Sequence, residues 1–127
     1  MNVTSRRYAN AVVVHAAGRL DQDTCEGFRV DLLKNVDSAA RDGGAIVLDL
    51  SELEYVSSAG LRCFMLASRQ AKAQNGRIYV AALQPMVAEI FEISHFNLVF
   101  QVFPTVREAV AATSAEALAD FDKGAPR

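Results

Sequence analysis

The strongest constraint on this fold is a run of six almost wholly apolar residues, 45–50 (AIVLDL), with glycines before it and polar residues after it. A run this short and this apolar is typical of a strand buried on both faces, as in the centre of a parallel sheet. Residues 12–14 (VVV) and 77–82 (RIYVAA) have the same character. The chain is therefore expected to form a sheet that needs helices on both sides.

Segments with apolar residues at helical spacing alternate with these strands. The four predicted helices cover residues 23–43, 58–74, 85–94 and 105–121. Asp23 stands three residues before Glu26, and Thr105 three before Glu108, which is the spacing of a capping box. We therefore expect Asp23 and Thr105 to begin the first and the last helix.

Strands that alternate with helices predict right-handed β–α–β units and hence an α/β fold. We expect one domain, residues 1–119, with a mostly parallel sheet of four to five strands and four helices. Residues 3–8 are expected to pair as an antiparallel edge strand, and residues 99–103 as the last edge strand. Residues 120–127, which include Gly124 and Pro126, are expected to form a flexible tail.

Composition and charge argue against several classes of partner. A chain of 127 residues, 51% of them hydrophobic, can bury a core without a metal or disulfides. Its formal net charge of −2 provides no general attraction to nucleic acid or to anionic lipid. No apolar stretch approaches the roughly 18 residues of a membrane span. We expect a cytoplasmic protein that does not insert into a membrane.

The sequence does not support metal, cofactor or enzyme chemistry. His15 and His95 have no acidic or cysteine residues at ligand spacing, and Cys25 and Cys63 form no Cys-x-x-Cys motif. There is no glycine-rich phosphate loop, and the hydrolase motif Gly-x-Ser-x-Gly is absent. We therefore expect neither an enzyme nor a cofactor, and two reduced thiols. A small catalytic or ligand-binding domain would need a convergent polar pocket.

The segment richest in candidate functional residues is 49–61 (DLSELEYVSSAGL). It is expected to run from the end of the central strand, through a polar loop, into the second helix, where functional groups of α/β sheets collect. Ser57 and Ser58 stand where a helix N-cap is needed, so capping is one interpretation. Phosphorylation is the other, because a helix N-terminus tolerates an anion and the small Ala59 and Gly60 leave the hydroxyl accessible.

Two acidic residues belong to the same region. Asp49 lies in an apolar strand, where a carboxylate is costly unless hydrogen-bonded, so it is expected to hold backbone N–H groups of the loop. Asp21, at the end of the neighbouring strand, is expected either to cap a turn or to flank the serines. Helix propensity alone also predicts that Gly60→Ala stabilises the fold by up to about 1 kcal/mol.

Four segments carry a resemblance to a known family. They are residues 18–21 (GRLD), 49–51 (DLS), 55–61 (YVSSAGL) and 100–112 (FQVFPTVREAVAA). They resemble STAS domains, in particular the bacterial anti-sigma factor antagonists. In that family the serine two residues before the Gly-Leu pair is phosphorylated by an anti-sigma serine kinase and dephosphorylated by a PP2C-type phosphatase. Ser58 is the matching position. The preceding residue is often Asp in the family and is Ser57 here, which makes Ser57 the second candidate.

The resemblance implies a binding module that acts by partner switching. The unphosphorylated form binds and occupies the kinase, and phosphorylation of Ser58 ends the binding. The implied partner-binding residues are Asp21, Ser57, Ser58, Ala59, Gly60 and Arg62. The alternative is a STAS subunit of a lipid-transport ATPase or of another regulatory complex, in which the same serine turn packs on a partner and is never phosphorylated.

Overall fold

The computed structural model describes residues 1–41 and 44–124. Within them, a five-stranded sheet is flanked by five α-helices. The strands are β1 (Asn2–Tyr8), β2 (Ala11–Leu20), β3 (Ala45–Val56), β4 (Arg77–Ala81) and β5 (Gln101–Phe103). The helices are α1 (Cys25–Arg41), α2 (Ser58–Ala73), α3 (Pro85–Ile93), α4 (Val106–Thr113) and α5 (Ala115–Lys123), and a short 3-10 helix covers Phe96–Leu98. Of the helices described, none has the length and apolar character to cross a membrane.

The strands lie in the order β1-β2-β3-β4-β5, so each strand pairs with its neighbours in the sequence. β1 runs antiparallel to β2, and the other pairs are parallel. The predicted α/β class, the antiparallel N-terminal edge strand and the central position of β3 are confirmed. A turn at Ala9, whose φ of 52° is left-handed, joins the two antiparallel strands.

Helices cover both faces of the sheet. On one face the ring of Phe64 in α2 lies 5.5 Å from that of Phe28 in α1 and 5.8 Å from that of Phe91 in α3. On the other face Val110 of α4 belongs to a buried cluster with Val47 of β3. The apolar strands are thus buried on both sides, as a mostly parallel sheet requires.

β3 is longer than expected, because residues 51–56 continue the strand. The predicted polar loop after residue 50 is wrong. In this half of β3, Leu53 lies opposite Gly18 and Val56 lies opposite Leu20 at the end of β2. Leu53 and Val56 are buried although polar residues separate them. Pairing with β2 and burial of these two side chains therefore extend the strand beyond its apolar half.

The C-terminal helical segment is divided at Ser114, so there are five helices where four were expected. The backbone of Ser114 is extended, and its Oγ accepts a hydrogen bond from the N–H of Ala117 at 3.0 Å. The same hydroxyl donates to Oδ1 of Asn10 at 3.2 Å. Ser114 therefore ends α4, begins α5 and ties both to the turn after β1.

α5 continues past residue 119, where the expected tail begins, and ends at Lys123. A carboxylate oxygen of Asp120 accepts a hydrogen bond from the main-chain N–H of Ala9 at 2.8 Å. The ring of Phe121 lies edge-on against that of Tyr8, with centroids 5.1 Å apart. This part of the predicted tail packs on β1, while residues 125–127 lie outside the described residues.

Other element ends agree with the prediction to within one or two residues. Thr105 caps α4 as predicted, since its hydroxyl accepts a hydrogen bond from the N–H of Glu108 at 3.1 Å. α1 ends at Arg41, and its predicted end near Gly43 lies outside the described residues. β5 begins at Gln101 instead of residue 99.

Candidate partner-binding site

The ends of β2 and β3 meet the beginnings of α1 and α2 at one corner of the molecule. The main-chain N–H of Ser57 donates to the carbonyl of Leu20 at 2.8 Å, which joins the end of β2 to the turn into α2. An open groove of about 430 Å³ lies here. Its lining residues are Arg19, Asp21, Gln22, Asp23, Tyr55, Ser57, Ser58 and Ala59. The structure thus places Asp21 beside the serines.

The two serines have different surroundings. Ser57 is the N-cap of α2: its backbone is extended, and its Oγ accepts a hydrogen bond from the N–H of Gly60 at 3.2 Å. Ser58 is the first residue of the helix and is exposed, whereas Ser57 is half-buried. Capping therefore belongs to Ser57, and the Ser58 hydroxyl is presented on the surface at a helix N-terminus.

Asp21 caps the turn that leads into α1. Its Oδ1 accepts hydrogen bonds from the N–H groups of Asp23 at 3.0 Å and Thr24 at 3.3 Å, and its carbonyl accepts from the N–H of Cys25 at 2.9 Å. The expected capping box begun by Asp23 is therefore wrong, because the cap lies two residues earlier. The carboxylate of Glu26 pairs instead with the Arg29 guanidinium.

Arg19 is a groove residue that the sequence analysis missed. Its guanidinium carbon lies 4.4 Å from the ring centroid of Tyr55, which is the distance of a cation–π contact. The two residues are cross-strand partners, after register shifts between β2 and β3. Those shifts are set by the pairing of distant segments, so no local pattern indicates the contact. The groove thus combines one guanidinium with the carboxylates of Asp21 and Asp23.

Gly60 lies beneath the serine turn and is buried. A Cβ at this position would stand 2.7 Å from Cγ of Leu20 and 2.8 Å from Cγ2 of Val56, closer than carbon atoms approach in a packed core. The missing side chain lets α2 approach the ends of β2 and β3. The expectation that Gly60→Ala stabilises the fold is therefore wrong, and Gly60 supports the groove from inside.

The other two partner-binding candidates lie on α2. Ala59 is half-buried and lines the groove beside the serines. Arg62 is exposed and follows Ser58 by four residues, so it lies on the same side of the helix one turn further on. The structure places Arg62 outside the groove lining, on the surface that continues it.

Asp49 lies on the opposite face of the sheet. Its Oδ1 accepts a hydrogen bond from the N–H of Ser51 at 3.1 Å, so it does hold a backbone group, but in β3 and not in a loop. With His15 it lines a cavity of about 640 Å³ beside α4 and α5. His15 Nε2 lies 2.9 Å from Oε1 of Glu52. This polar set is separate from the serine groove.

Within residues 1–41 and 44–124, no three His, Cys, Asp or Glu side chains are grouped so that they could hold a metal ion. The groove offers instead hydroxyls, one guanidinium, carboxylates and a helix N-terminus.

Comparison with known proteins extends these observations. The family model described as "Mlab, STAS domain" matches residues 3–101. BtrV of Bordetella bronchiseptica, named as a candidate anti-sigma factor antagonist, is 35% identical over 118 residues, which cover 93% of this chain and 98% of that protein.

Solved structures show the same fold. An anti-sigma-factor antagonist (STAS) domain protein from Planctomyces limnophilus matches with a TM-score of 0.74 at 17% identity, over 87% of this chain and 96% of that chain. The Bacillus cell fate determinant SpoIIAA in its phosphorylated form matches with a TM-score of 0.64 at 20% identity, over 87% of this chain and 98% of that chain. Together with the match over residues 3–101, these likenesses lead to one conclusion: the chain belongs to the STAS domain family.

Proposed function

We propose that this protein is an anti-sigma factor antagonist that acts by partner switching. Its groove binds a cognate anti-sigma serine kinase while Ser58 is unphosphorylated, and phosphorylation of Ser58 releases the kinase. A PP2C-type phosphatase resets the protein. The observation behind the proposal is that the two serines differ in their surroundings. Ser57 caps α2, whereas Ser58, the first residue of that helix, is exposed.

The position of Ser58 suits a switch that acts on binding and leaves the fold intact. A phosphate adds about −1.5 to −2 charges, and the N-terminus of α2 favours a negative charge at this place. The folded state therefore tolerates the modification. A partner that packs over the groove must remove water from the phosphate. It must also accommodate the negative charge of the phosphate beside the carboxylates of Asp21 and Asp23. A loss of a few kcal/mol there weakens binding by orders of magnitude, because ~1.4 kcal/mol is tenfold.

Two similar proteins also support this proposal. BtrV is similar over nearly its whole length and is named for the antagonist role, and SpoIIAA has been solved in a phosphorylated form. In this proposal the protein acts in the cytoplasm and catalyses no reaction itself. Its function lies in the surface around Ser58, which includes the exposed Arg19 and Arg62 and the half-buried Asp21.

The test uses the cognate kinase, ATP and four forms of the full chain: wild type, Ser58→Ala, Ser58→Asp and Ser57→Asn. Asparagine caps a helix as well as serine does but has no hydroxyl to modify, so Ser57→Asn keeps the turn while it removes the second candidate. Intact masses and binding constants are measured. We expect wild type and Ser57→Asn to gain one phosphate, Ser58→Ala to gain none and bind, and Ser58→Asp to bind more weakly.

Two results would contradict the proposal. If Ser57→Asn gains no phosphate while Ser58→Ala does, the modified residue is Ser57. If wild type gains no phosphate and binds no kinase, the serine turn serves a permanent contact, as in the STAS subunits of lipid-transport ATPases.

A further inference from the structure

Two cysteines lie close in sequence to residues that line the groove. Cys25 is the first residue of α1, two residues after Asp23, and Cys63 lies in α2 one turn after Ala59. The Sγ of Cys63 is 3.4 Å from the main-chain oxygen of Cys25 and 3.6 Å from that of Ala59. The fold thus places the Cys63 thiol against the main chain of Cys25, which lies 38 positions earlier in the sequence.

The two thiols differ in access to solvent. Cys25 is half-buried, whereas Cys63 is only 4% exposed. Burial and, after it, interaction with the Cys25 side chain raise the pKa of Cys63 to about 11. Cys63 is therefore a protonated, protected thiol at neutral pH, and an oxidant from solution reaches Cys25 first.

The helices that carry the cysteines are held in register. The rings of Phe28 and Phe64, which follow Cys25 by three residues and Cys63 by one, are in edge contact with centroids 5.5 Å apart. A disulfide requires Cβ atoms about 3.5–4.5 Å apart. The contact between Phe28 and Phe64 fixes the register of α1 and α2 in which the Sγ of Cys63 lies 3.4 Å from the main-chain oxygen of Cys25.

We propose that Cys25 and Cys63 form a reversible intramolecular disulfide when the protein meets a hydroperoxide. With hydrogen peroxide, the Cys25 sulfur attacks one peroxide oxygen and becomes a sulfenic acid, and one water leaves. The Cys63 sulfur then attacks the Cys25 sulfur and loses its proton, and the hydroxyl leaves as a second water. The two thiols give up two electrons and two protons, and the peroxide is reduced to two waters. A dithiol reductant restores both thiols.

A disulfide between Cys25 and Cys63 would change the groove by moving the start of α1. The Cys25 thiol now donates to the carbonyl of Gln22 at 3.6 Å, and a sulfur bonded to Cys63 gives up that contact. The start of α1 is then tied to α2, and Gln22 and Asp23 move with it. This consequence rests on the proposed function: the oxidised chain is expected to bind the kinase several-fold more weakly. The disulfide itself is measured on the chain alone, so its failure and that of the proposed function are distinguishable.

The experiment treats the reduced full chain with hydrogen peroxide and measures the intact mass, followed by tryptic mapping without reductant. Cleavage at arginine places Cys25 in peptide 20–29 and Cys63 in peptide 63–69. We expect a loss of about 2 Da, the two hydrogens of a new disulfide, and one linked peptide made of both segments. Dithiothreitol should restore the separate peptides.

Two variants identify the order of the steps. In Cys63→Ala, Cys25 has no partner within the chain, so it should accumulate as a sulfenic acid that dimedone traps. In Cys25→Ser, the buried Cys63 should stay reduced at the same peroxide concentration. If the wild type keeps both thiols, or if its oxidised cysteines are found only as sulfinic acids or in disulfides between chains, the proposal is overturned.

Discussion

The main-chain N–H of Gly60 donates a hydrogen bond of 3.2 Å to the Oγ of Ser57. The bond assigns the capping of α2 to Ser57 and leaves the neighbouring Ser58 hydroxyl on the surface. Two adjacent serines with the same chemistry therefore have separate tasks. The stability of the turn and its proposed modification can be changed independently of each other.

The first prediction concerns that separation. Ser57→Ala removes the acceptor for the Gly60 N–H and should lower the free energy of unfolding by about 0.5–2 kcal/mol, while Ser58→Ala should change it by less than about 0.5 kcal/mol. Ser57→Asn keeps an acceptor and is the matched control. Urea unfolding of the three variants and the wild type measures the effect. Equal losses for Ser57→Ala and Ser58→Ala would show that both hydroxyls cap the helix.

A second prediction concerns the close approach at Gly60. The Cβ of Gly60→Ala would meet Leu20 and Val56 within 3.0 Å, so the variant should be less stable by about 1–3 kcal/mol. Gly27 in α1 is the control, because a Cβ there meets nothing within 4 Å. Gly27→Ala should stabilise by up to about 1 kcal/mol, as helix propensity predicts. Thermal or urea unfolding in which both variants gain stability would contradict the packing argument.

The third prediction separates the capping role of Asp21 from its proposed role in partner binding. Asp21→Asn keeps an oxygen that can accept the N–H bonds of Asp23 and Thr24 but removes the charge. Its stability should stay within about 0.5 kcal/mol of the wild type, whereas Asp21→Ala should lose about 0.5–2 kcal/mol. If the carboxylate contacts the partner, both variants bind more weakly. Calorimetric titration that finds wild-type affinity in Asp21→Asn would limit Asp21 to capping.

A fourth prediction concerns acid stability of the ion pair between the start of α4 and the end of α5. Nε and Nη2 of Arg107 each lie 3.0 Å from a carboxylate oxygen of Asp122. The hydrogen bonds from Arg107 hold the pKa of Asp122 below its ordinary value of 3.8. A lowered folded-state pKa contributes stability above the unfolded-state pKa, and that contribution is lost as the pH falls through the folded-state value.

The corresponding measurement compares wild type with Asp122→Asn by urea unfolding at about pH 6 and about pH 2.5. The wild type should be the more stable at the higher pH, by a small amount because both side chains are exposed. The difference should be smaller at the lower pH. A difference that is the same at both values would rule out the ion pair as its source.

Much of the architecture could be predicted because its signals are local. The AIVLDL run identifies β3, and the helical spacing of Phe28, Leu32 and Val36 identifies α1, whose face the structure buries. Ser114 shows the limit of such signals. Its hydroxyl accepts a hydrogen bond from the nearby N–H of Ala117, but it also donates to Asn10, which lies 104 positions away in the sequence and which no local pattern indicates.

The same distinction between local signals and long-range contacts applies to the candidate site. The sequence by itself determined the alternation of strands and helices, the family resemblance and the segment 55–61, because these depend on residue order and spacing. Only the tertiary structure decided which serine caps α2. The helix begins where β3 ends, and β3 ends at Val56, where its pairing with Leu20 of β2 ends. If β3 ended one residue later, Ser58 would take the N-cap position in place of Ser57. Pairing between distant strands is a non-local property, so the residues around the serines could suggest a cap but could not assign it.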